Sequence, residues 1–281
     1  MTTLPKRACT GALLLVLAHA VDGQVPVAKS TIPKALNNEL QTLMVPGSTI
    51  KDCPDCPELV VLPGGSFAMG SSADAPRPNG GQANETPQHR VDVPAFAMGK
   101  FEVTQEQWTA VMGDNRSFFK GRNLPVENIT WHEAQTFVRR LTQITRKNYR
   151  LPSESEWEYA ARAGTVGEWG FANPLALGDY AWYHAVSDGR THPVGLKLPN
   201  AFGLFDMHGN VWEWVEDCYH DHYGGAPADG SAWSQACGVH YGVIRGGSFD
   251  LVPQLVRSAV RYWIYPERRA YYIGFRVARD L

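Results

Sequence analysis

The chain has 281 residues, 44% of them hydrophobic and 19% charged, with 28 acidic against 26 basic side chains and a formal net charge of −2. This composition excludes a disordered chain, a collagen and a disulfide-dense miniprotein, and a balanced charge without any run of five like charges leaves no basic stripe for nucleic acid. Nine Trp, 27 Gly and 19 Pro point to an irregular, loop-rich domain fastened by aromatic side chains and special backbone turns.

Residues 1–20 carry Lys6 and Arg7, then Ala12-Leu13-Leu14-Leu15-Val16-Leu17-Ala18, then the small-residue pattern Ala18-His19-Ala20. This is the pattern of a secretory signal peptide cleaved after Ala20. The apolar run falls short of the roughly 20 residues a membrane anchor needs, and no later segment is long and apolar enough to span. Cys9 leaves with the leader, so five cysteines become Cys53, Cys56, Cys218 and Cys237, an even set suited to an oxidising compartment. Three pairings are open, and the two local ones, Cys53 with Cys56 and Cys218 with Cys237, are expected. Residues 21–57 are polar and lack a sustained period, and read as an N-terminal extension packed on a main domain at 58–281.

Within that domain, Glu58-Leu59-Val60-Val61-Leu62 and Ser66-Phe67-Ala68-Met69 flank Pro63-Gly64-Gly65, a strand-turn-strand signal. A Gly/Pro/Asn/Ala-rich loop follows over 71–88, and strand-like segments resume at 91–93 and 96–103. Three helices are then predicted by one device, an N-cap hydroxyl followed three residues later by Glu or Gln: Thr104 with Gln107, Thr130 with Glu133, and Ser153 with Glu156. Behind Thr130, Ala134, Phe137, Val138, Leu141 and Ile144 recur at helical spacing and predict one buried face. Gly113 and Gly164 are the expected stops of the first and third helices. From Trp169 onward the helical period is lost and short, Gly-punctuated strands take over. Helices early and irregular β late make the fold class α+β, not a parallel βαβ sheet.

Several chemical motifs fail on inspection. His132-Glu133 begins like the zinc motif H-E-x-x-H, but Thr136 stands where the second His is needed. Cys53-x-x-Cys56 is flanked by prolines and followed by no helix whose dipole would lower a thiol pKa, so it reads as a structural disulfide. His220-Asp221-His222 lies in a hydrophilic loop and reads as solvated side chains. Gly247-Ser248-Phe249 lacks the second glycine of a nucleophile elbow. A better candidate is Asp206-Met207-His208-Gly209-Asn210-Val211-Trp212-Glu213-Trp214. Two carboxylates seven residues apart bracket a Gly-Asn turn that can aim backbone carbonyls at the same point, the mixed oxygen set that calcium takes. The same spacing fits a turn whose amides Asp206 and Glu213 satisfy while Trp212 and Trp214 pack in the core. Spacing alone leaves both open.

Taken in order, Leu62-Pro63-Gly64-Gly65-Ser66-Phe67-Ala68-Met69-Gly70, Glu102-Val103-Thr104, Pro125-Val126, Arg150-Leu151-Pro152-Ser153-Glu154-Ser155-Glu156-Trp157-Glu158-Tyr159-Ala160, Asn200-Ala201-Phe202-Gly203-Leu204, Gly209-Asn210-Val211-Trp212-Glu213-Trp214, Arg245-Gly246-Gly247-Ser248 and Ile273-Gly274-Phe275-Arg276 resemble the formylglycine-generating enzyme (sulfatase-modifying factor) family. The resemblance runs from about residue 58 to the last. It implies one domain of irregular, C-type-lectin-like fold with little regular secondary structure and a structural calcium ion. The ligands it implies are the side chains of Asp206 and Glu213 and the carbonyls of Gly209 and Val211. The family's second calcium site does not map, because its Asn position falls in Ala181-Trp182-Tyr183-His184. The family's chemistry does not map either. Leu251 and Val256 stand where its copper-binding cysteines belong, and apolar side chains cannot ligate copper, so no copper–cysteine site is expected. The iron-binding three-histidine signature of the related sulfoxide synthases is also missing, so function must be argued apart from fold.

An exported, stand-alone, cysteine-lacking branch of the family takes part in the last oxidation that forms the chromophore of the siderophore pyoverdine, and this chain is similar in size, leader and domain content. The resemblance therefore implies a periplasmic maturation protein. Its cleft would take a dihydro precursor, a catechol-like quinoline peptide, or another small periplasmic ligand, with a partner oxidase as a further candidate. After the Arg-Gly-Gly-Ser motif, Asp250 and Glu267 are candidate bases, Arg257 and Arg261 would orient anionic groups, and Tyr262 or Trp263 would stack on the ring. The bland alternative is that Arg257 and Arg261 pair with core carboxylates and Trp263 belongs to the core. Glu267, in the polar Pro266-Glu267-Arg268-Arg269, has the best claim to be free for function. The competing reading of the whole chain is a non-catalytic periplasmic binding or scaffold module. Formylglycine generation is disfavoured, because the four remaining cysteines lie outside the catalytic stretch.

Overall fold

The computed structural model describes residues 45–72, 83–237 and 241–281; the expected leader and most of the expected extension lie outside the described residues. In chain order the strands are β1 (Thr49–Ile50), β2 (Leu59–Leu62), β3 (Gly65–Met69), β4 (His89–Val93), β5 (Phe96–Gly99), β6 (Tyr149–Arg150), β7 (Trp212–Cys218), β8 (Gly242–Arg245), β9 (Arg261–Ile264), β10 (Ile273–Gly274) and β11 (Ala278–Arg279). The helices are α1 (Gln105–Met112), α2 (Trp131–Thr145), α3 (Glu154–Arg162) and the single turn α4 (Leu177–Tyr180). This is an α+β chain of short elements.

The first three helices start at their predicted caps. Thr104, Thr130 and Ser153 each accept the N–H three residues on, and Gln107, Glu133 and Glu156 each reach back to the cap's own N–H. Each such cap contributes about 1 kcal/mol. Helix α1 ends on Gly113 at φ 89, as expected, whereas α3 turns left-handed one residue early, at Ala163 (φ 45), before Gly164 (φ 85). Helix α2 buries Ala134, Phe137, Val138 and Leu141, but Ile144 is 57% exposed. Its buried stripe ends at Leu141, one turn before the chain reverses through Arg146 at φ 59.

The strand-turn-strand signal at Pro63-Gly64-Gly65 does not make a hairpin. Strand β2 pairs antiparallel with β5, Val60 opposite Met98, while β3 pairs with β4, Phe67 opposite Val91. The turn therefore passes the chain from one sheet to another. The five-stranded sheet has the order β1-β2-β5-β11-β6, and the four-stranded sheet the order β10-β7-β8-β9. Strand β1 pairs with β2, so residues 49–50 of the expected extension are an edge strand of the domain's own sheet. The Cys53–Cys56 and Cys218–Cys237 disulfides form the two local pairs expected, with Cα separations of 5.0 and 5.9 Å.

All four residues of β2 are buried, because the sheet is covered on both faces. Leu59 and Val61 face the core built by α1 and α2, with Trp108, Phe137, Trp214 and Phe275; Val60 and Leu62 face a second core with Met98, Trp157 and Val243. Helix α3 is buried along its whole length, and its charges are answered inside the fold. Arg245 of β8 donates to Glu158 at 2.5 Å and to Glu154 at 3.2 Å, and Arg162 donates to Glu158 at 2.9 Å. A buried carboxylate stripped of its partner is far costlier than an exposed one. Replacing Arg245 with Ala is accordingly expected to cost about 3–5 kcal/mol, measured as a shift in urea unfolding; a loss below about 1 kcal/mol, the scale of a surface pair, would contradict this account.

Candidate functional site

The segment between α4 and β7 makes a turn that only its own sequence permits. Asp206 and Asn210 both sit at φ 55, and Gly209 at φ 87. A Cβ on Gly209 would stand 2.0 Å from the carbonyl oxygen of Trp182, so the position requires glycine. Gly209 N–H donates to Gly246 O at 2.9 Å and Asn210 N–H to Trp182 O at 2.8 Å. The Asn210 amide donates to Glu102 Oε2 at 2.6 Å and accepts His192 N–H at 3.0 Å.

Three buried carboxylates, Glu102, Asp206 and Glu213, meet around one buried guanidinium, Arg276. Glu213 accepts Arg276 Nε and Nη2 at 2.7 Å each and Trp157 Nε1 at 2.8 Å. Asp206 Oδ2 accepts Gly195 N–H at 2.7 Å, whereas Oδ1 is buried with no partner among the described residues. Burial, then the charges of Asp206 and Glu213, hold the Glu102 carboxyl well above its ordinary range; burial also raises Asp206. Fully ionised, the three acids exceed the two cations that act on them, Arg276 and Lys197, and a bound cation would offset that excess. The donors fit one: Asp206 Oδ1 is free, and Glu213 Oε1 accepts one N–H and retains a lone pair. Among the described residues no three His, Cys, Asp or Glu side chains converge on a metal-sized point, so a cation here would need backbone carbonyls as well. Sequence reasoning assigned Glu102 and Arg276 no role, although both stand in recognisable motifs; Glu102 meets Asn210 across 108 residues, and no spacing rule reaches that far.

After β8, Ser248 donates its hydroxyl to Asp250 Oδ1 at 2.6 Å. Val256 is fully buried with Leu177 and Ala181, and Leu251, Trp169, Phe171 and Tyr183 pack on the same cluster. The two positions reserved by resemblance for cysteines thus face one apolar cluster. His208 beside it is no acid–base group. Its Nε2 accepts Gly170 N–H at 3.1 Å, so Nδ1 donates to Val256 O at 2.8 Å, and burial pushes its pKa down to about 4.

The expected site residues part company here. Arg257 is buried and donates to both oxygens of Glu85, at 2.8 and 3.2 Å; Arg261 is buried and donates to both oxygens of Glu154, at 2.7 Å each. Both guanidiniums are committed to buried glutamates, Arg261 fully enclosed, while Arg257 also borders a cavity of about 490 Å³ with Ser66, Tyr159 and Arg162. Trp263 is partly buried against Tyr241, ring centroids 4.1 Å apart, and with His220, His222 and Trp233 lines a cavity of about 400 Å³. Tyr262 is half-exposed beside Trp212 at 6.0 Å. Asp250 is exposed and lies within electrostatic reach of Tyr272, whose phenol is raised by burial first and then by the Asp250 charge, with Arg268 opposing. Glu267 belongs to a loop fastened to the start of α2: Trp131 N–H donates to Pro266 O at 3.0 Å, and Arg269 donates to both oxygens of Glu133, at 2.5 and 2.6 Å. Its own carboxylate is 72% exposed, with His132 Nε2 at 3.5 Å. The structure therefore leaves Asp250, Glu267 and Tyr262 accessible and takes Arg257 and Arg261 inside.

A profile of the sulfatase-modifying factor enzyme 1-like domain matches residues 46–281. Among solved structures, PvdO from Pseudomonas aeruginosa aligns with a TM-score of 0.77 at 38% identity, over 84% of this chain and 99% of that one. The chaperone protein LppX of Paenibacillus barcinonensis is 32% identical over 218 residues, 59% of this chain and 72% of that protein. A formylglycine-generating enzyme of Streptomyces coelicolor is 28% identical over 288 residues, 79% of this chain and 88% of that enzyme.

One acid near the His220 cavity has a readable pH signature. Asp217 accepts Glu154 N–H and Trp233 N–H at 2.7 Å each, and burial, then the Glu154 charge, pushes its pKa up to about 7. A folded-state pKa above the unfolded value of about 4 contributes stability that is complete below that value and is lost as pH rises towards 7. Asp217→Asn should therefore gain in melting temperature relative to the parent between pH 5 and 7 and hold a constant offset above pH 8; parallel melting curves across that range would refute the assignment.

Proposed function

Because the chain belongs to the sulfatase-modifying factor enzyme 1-like family and has its irregular, C-type-lectin-like fold, we propose that it is a periplasmic maturation protein for the oxidation of a dihydro-pyoverdine-type siderophore precursor. The observation that carries this reading is the surface after Ser248. Apolar Leu251 and Val256 fill the cysteine positions, while Asp250, next in the chain to Leu251, is exposed and Glu267 and a half-exposed Tyr262 remain accessible further along the same stretch. Similarity to PvdO over 99% of its chain supports it. The two disulfides and the absence, among the described residues, of a helix long and apolar enough to cross a membrane accord with an exported chain.

The oxidation removes two electrons and two protons from the dihydro ring. Glu267 would take one proton as the general base, with Asp250 as the second carboxylate, and the electron pair would pass to an acceptor from outside this chain, dioxygen or a partner oxidase. Tyr262 would lie against the ring. The filled cysteine positions and the likeness to a protein named a chaperone favour one alternative, a non-catalytic binding or scaffold module of the same fold.

Deleting the gene should leave a secreted siderophore heavier by two hydrogens and altered in absorption; an unchanged product ends the maturation reading. Glu267→Gln should fold normally, since its side chain is 72% exposed, and should slow maturation by about a hundredfold or more. Full complementation by Glu267→Gln combined with Asp250→Asn would instead favour the scaffold.

We infer further that a structural calcium ion sits at the acidic centre, on the side chains of Asp206 and Glu213 and the carbonyls of Gly209 and Val211. It would supply the positive charge that Arg276 alone does not. Metal analysis of the purified protein should find it in stoichiometric amount and find it lost in Asp206→Ala, with a chelator lowering the melting temperature of the parent. Metal-free protein of full stability would remove the ion from this account.

A further inference from the structure

Phe118 is 67% exposed and Tyr271 44% exposed, and they are neighbours, ring centroids 5.5 Å apart. Phe119 stands edge-on to Phe118 at 5.0 Å and to Phe249 at 5.5 Å, and Tyr271 meets Tyr272 at 5.3 Å. A lone exposed aromatic is ordinary, but two adjoining exposed rings, backed by half-buried Phe119 and Tyr272 and buried Phe249, make an apolar patch of the kind that binds ligands. This set borders the surface proposed above, since Tyr272, in contact with Tyr271, lies within electrostatic reach of Asp250 and Tyr262.

The turn that carries Phe118 and Phe119 is clamped from below. Glu127 Oε1 accepts Phe119 N–H at 2.8 Å, and Gln105 Nε2, from α1, donates to Phe119 O at 2.9 Å. Both clamping side chains are buried, and Glu127 Oε2 has no hydrogen-bond partner among the described residues. Burying a carboxylate with one oxygen unsatisfied is costly, and what this one fixes is the backbone beneath two aromatic rings. Such a brace removes in advance the ordering cost that a mobile loop would meet on binding.

We propose that Phe118 and Tyr271, backed by Phe119 and Phe249 and positioned by Glu127, form an aromatic subsite that stacks a planar hydroxylated ring next to Asp250. The identity of that ring, a catechol-like bicycle, rests on the maturation reading; the subsite rests on the geometry. Ring faces are offered by Phe118 and Tyr271, while Asp250 accepts and Tyr272 can donate or accept hydrogen bonds at the hydroxylated edge. Glu127 is a positioning residue and touches no ligand.

The test is a titration of the full exported chain with dihydroxyquinoline, followed by tryptophan fluorescence. Phe118→Ala combined with Tyr271→Ala should weaken binding roughly tenfold, with cooperative unfolding retained because neither side chain belongs to the buried core. Glu127→Ala should weaken binding too, and Glu127→Gln, which keeps an oxygen for Phe119 N–H, should restore most of it. Failure of the parent to bind the probe, or parent-like binding by the double variant, overturns the subsite. The two readings fail separately. If gene deletion leaves the siderophore unchanged while probe binding depends on Phe118 and Tyr271, the maturation reading falls and the subsite stands; if deletion alters the siderophore and the double variant binds like the parent, the reverse holds.

Discussion

Arg276 joins the two main sheets through one guanidinium. Its Nη1 donates to Gly99 O at the end of β5, its Nε and Nη2 grip Glu213 on β7, and Nη2 also reaches Phe205 O, just before the acidic turn. Arg is suited to this because its planar fork presents several donors in fixed directions and stays charged when buried. Five-stranded sheet, four-stranded sheet and the turn at Gly209 therefore share a single anchor. The same device recurs at Arg245 and Arg261, which tie β8 and β9 to α3. Many of the strands are short, and these internal charge pairs, with the buried Trp157 and Trp214, link one element to the next.

That construction explains how the chemistry can differ while the fold is kept. The backbone around Ser248, Leu251 and Val256 is held by elements that do not involve the two side chains in question: Phe249 N–H donates to Asn210 O, and His184 N–H to Leu251 O. Side chains at 251 and 256 are therefore free to be apolar, and they close into the Leu177 and Ala181 cluster. At the periphery, Asp250, Glu267, Phe118 and Tyr271 face solvent. The acidic centre at Asp206 lies on the turn before β7, whose Asn210 O accepts Phe249 N–H.

The helix starts were legible because a capping box is a contact between residues three apart, and the local disulfides were legible because their loops are short. The reading failed where a pairing is remote. Leu62 and Ser66 look like two arms of one hairpin, but β2 finds β5 and β3 finds β4. Arg257 and Arg261 look like ligand-binding side chains in a polar stretch, but each reaches a buried glutamate more than 100 residues away, Glu85 and Glu154. The aromatic cluster of Phe118, Phe119 and Tyr271 carries no sequence signal, since its members come from two loops that only the fold brings together.

Sequence by itself determined the α+β class, the caps of α1, α2 and α3, the local cysteine pairs and the family, because all of these are written in short-range spacing or in ordered motifs. Tertiary structure alone decided which arginines are internal, which carboxylates share Arg276, and which aromatic rings meet at the surface. The physical reason is burial: whether a charged or aromatic side chain is committed or available depends on what packs against it, and that partner lies far away along the chain.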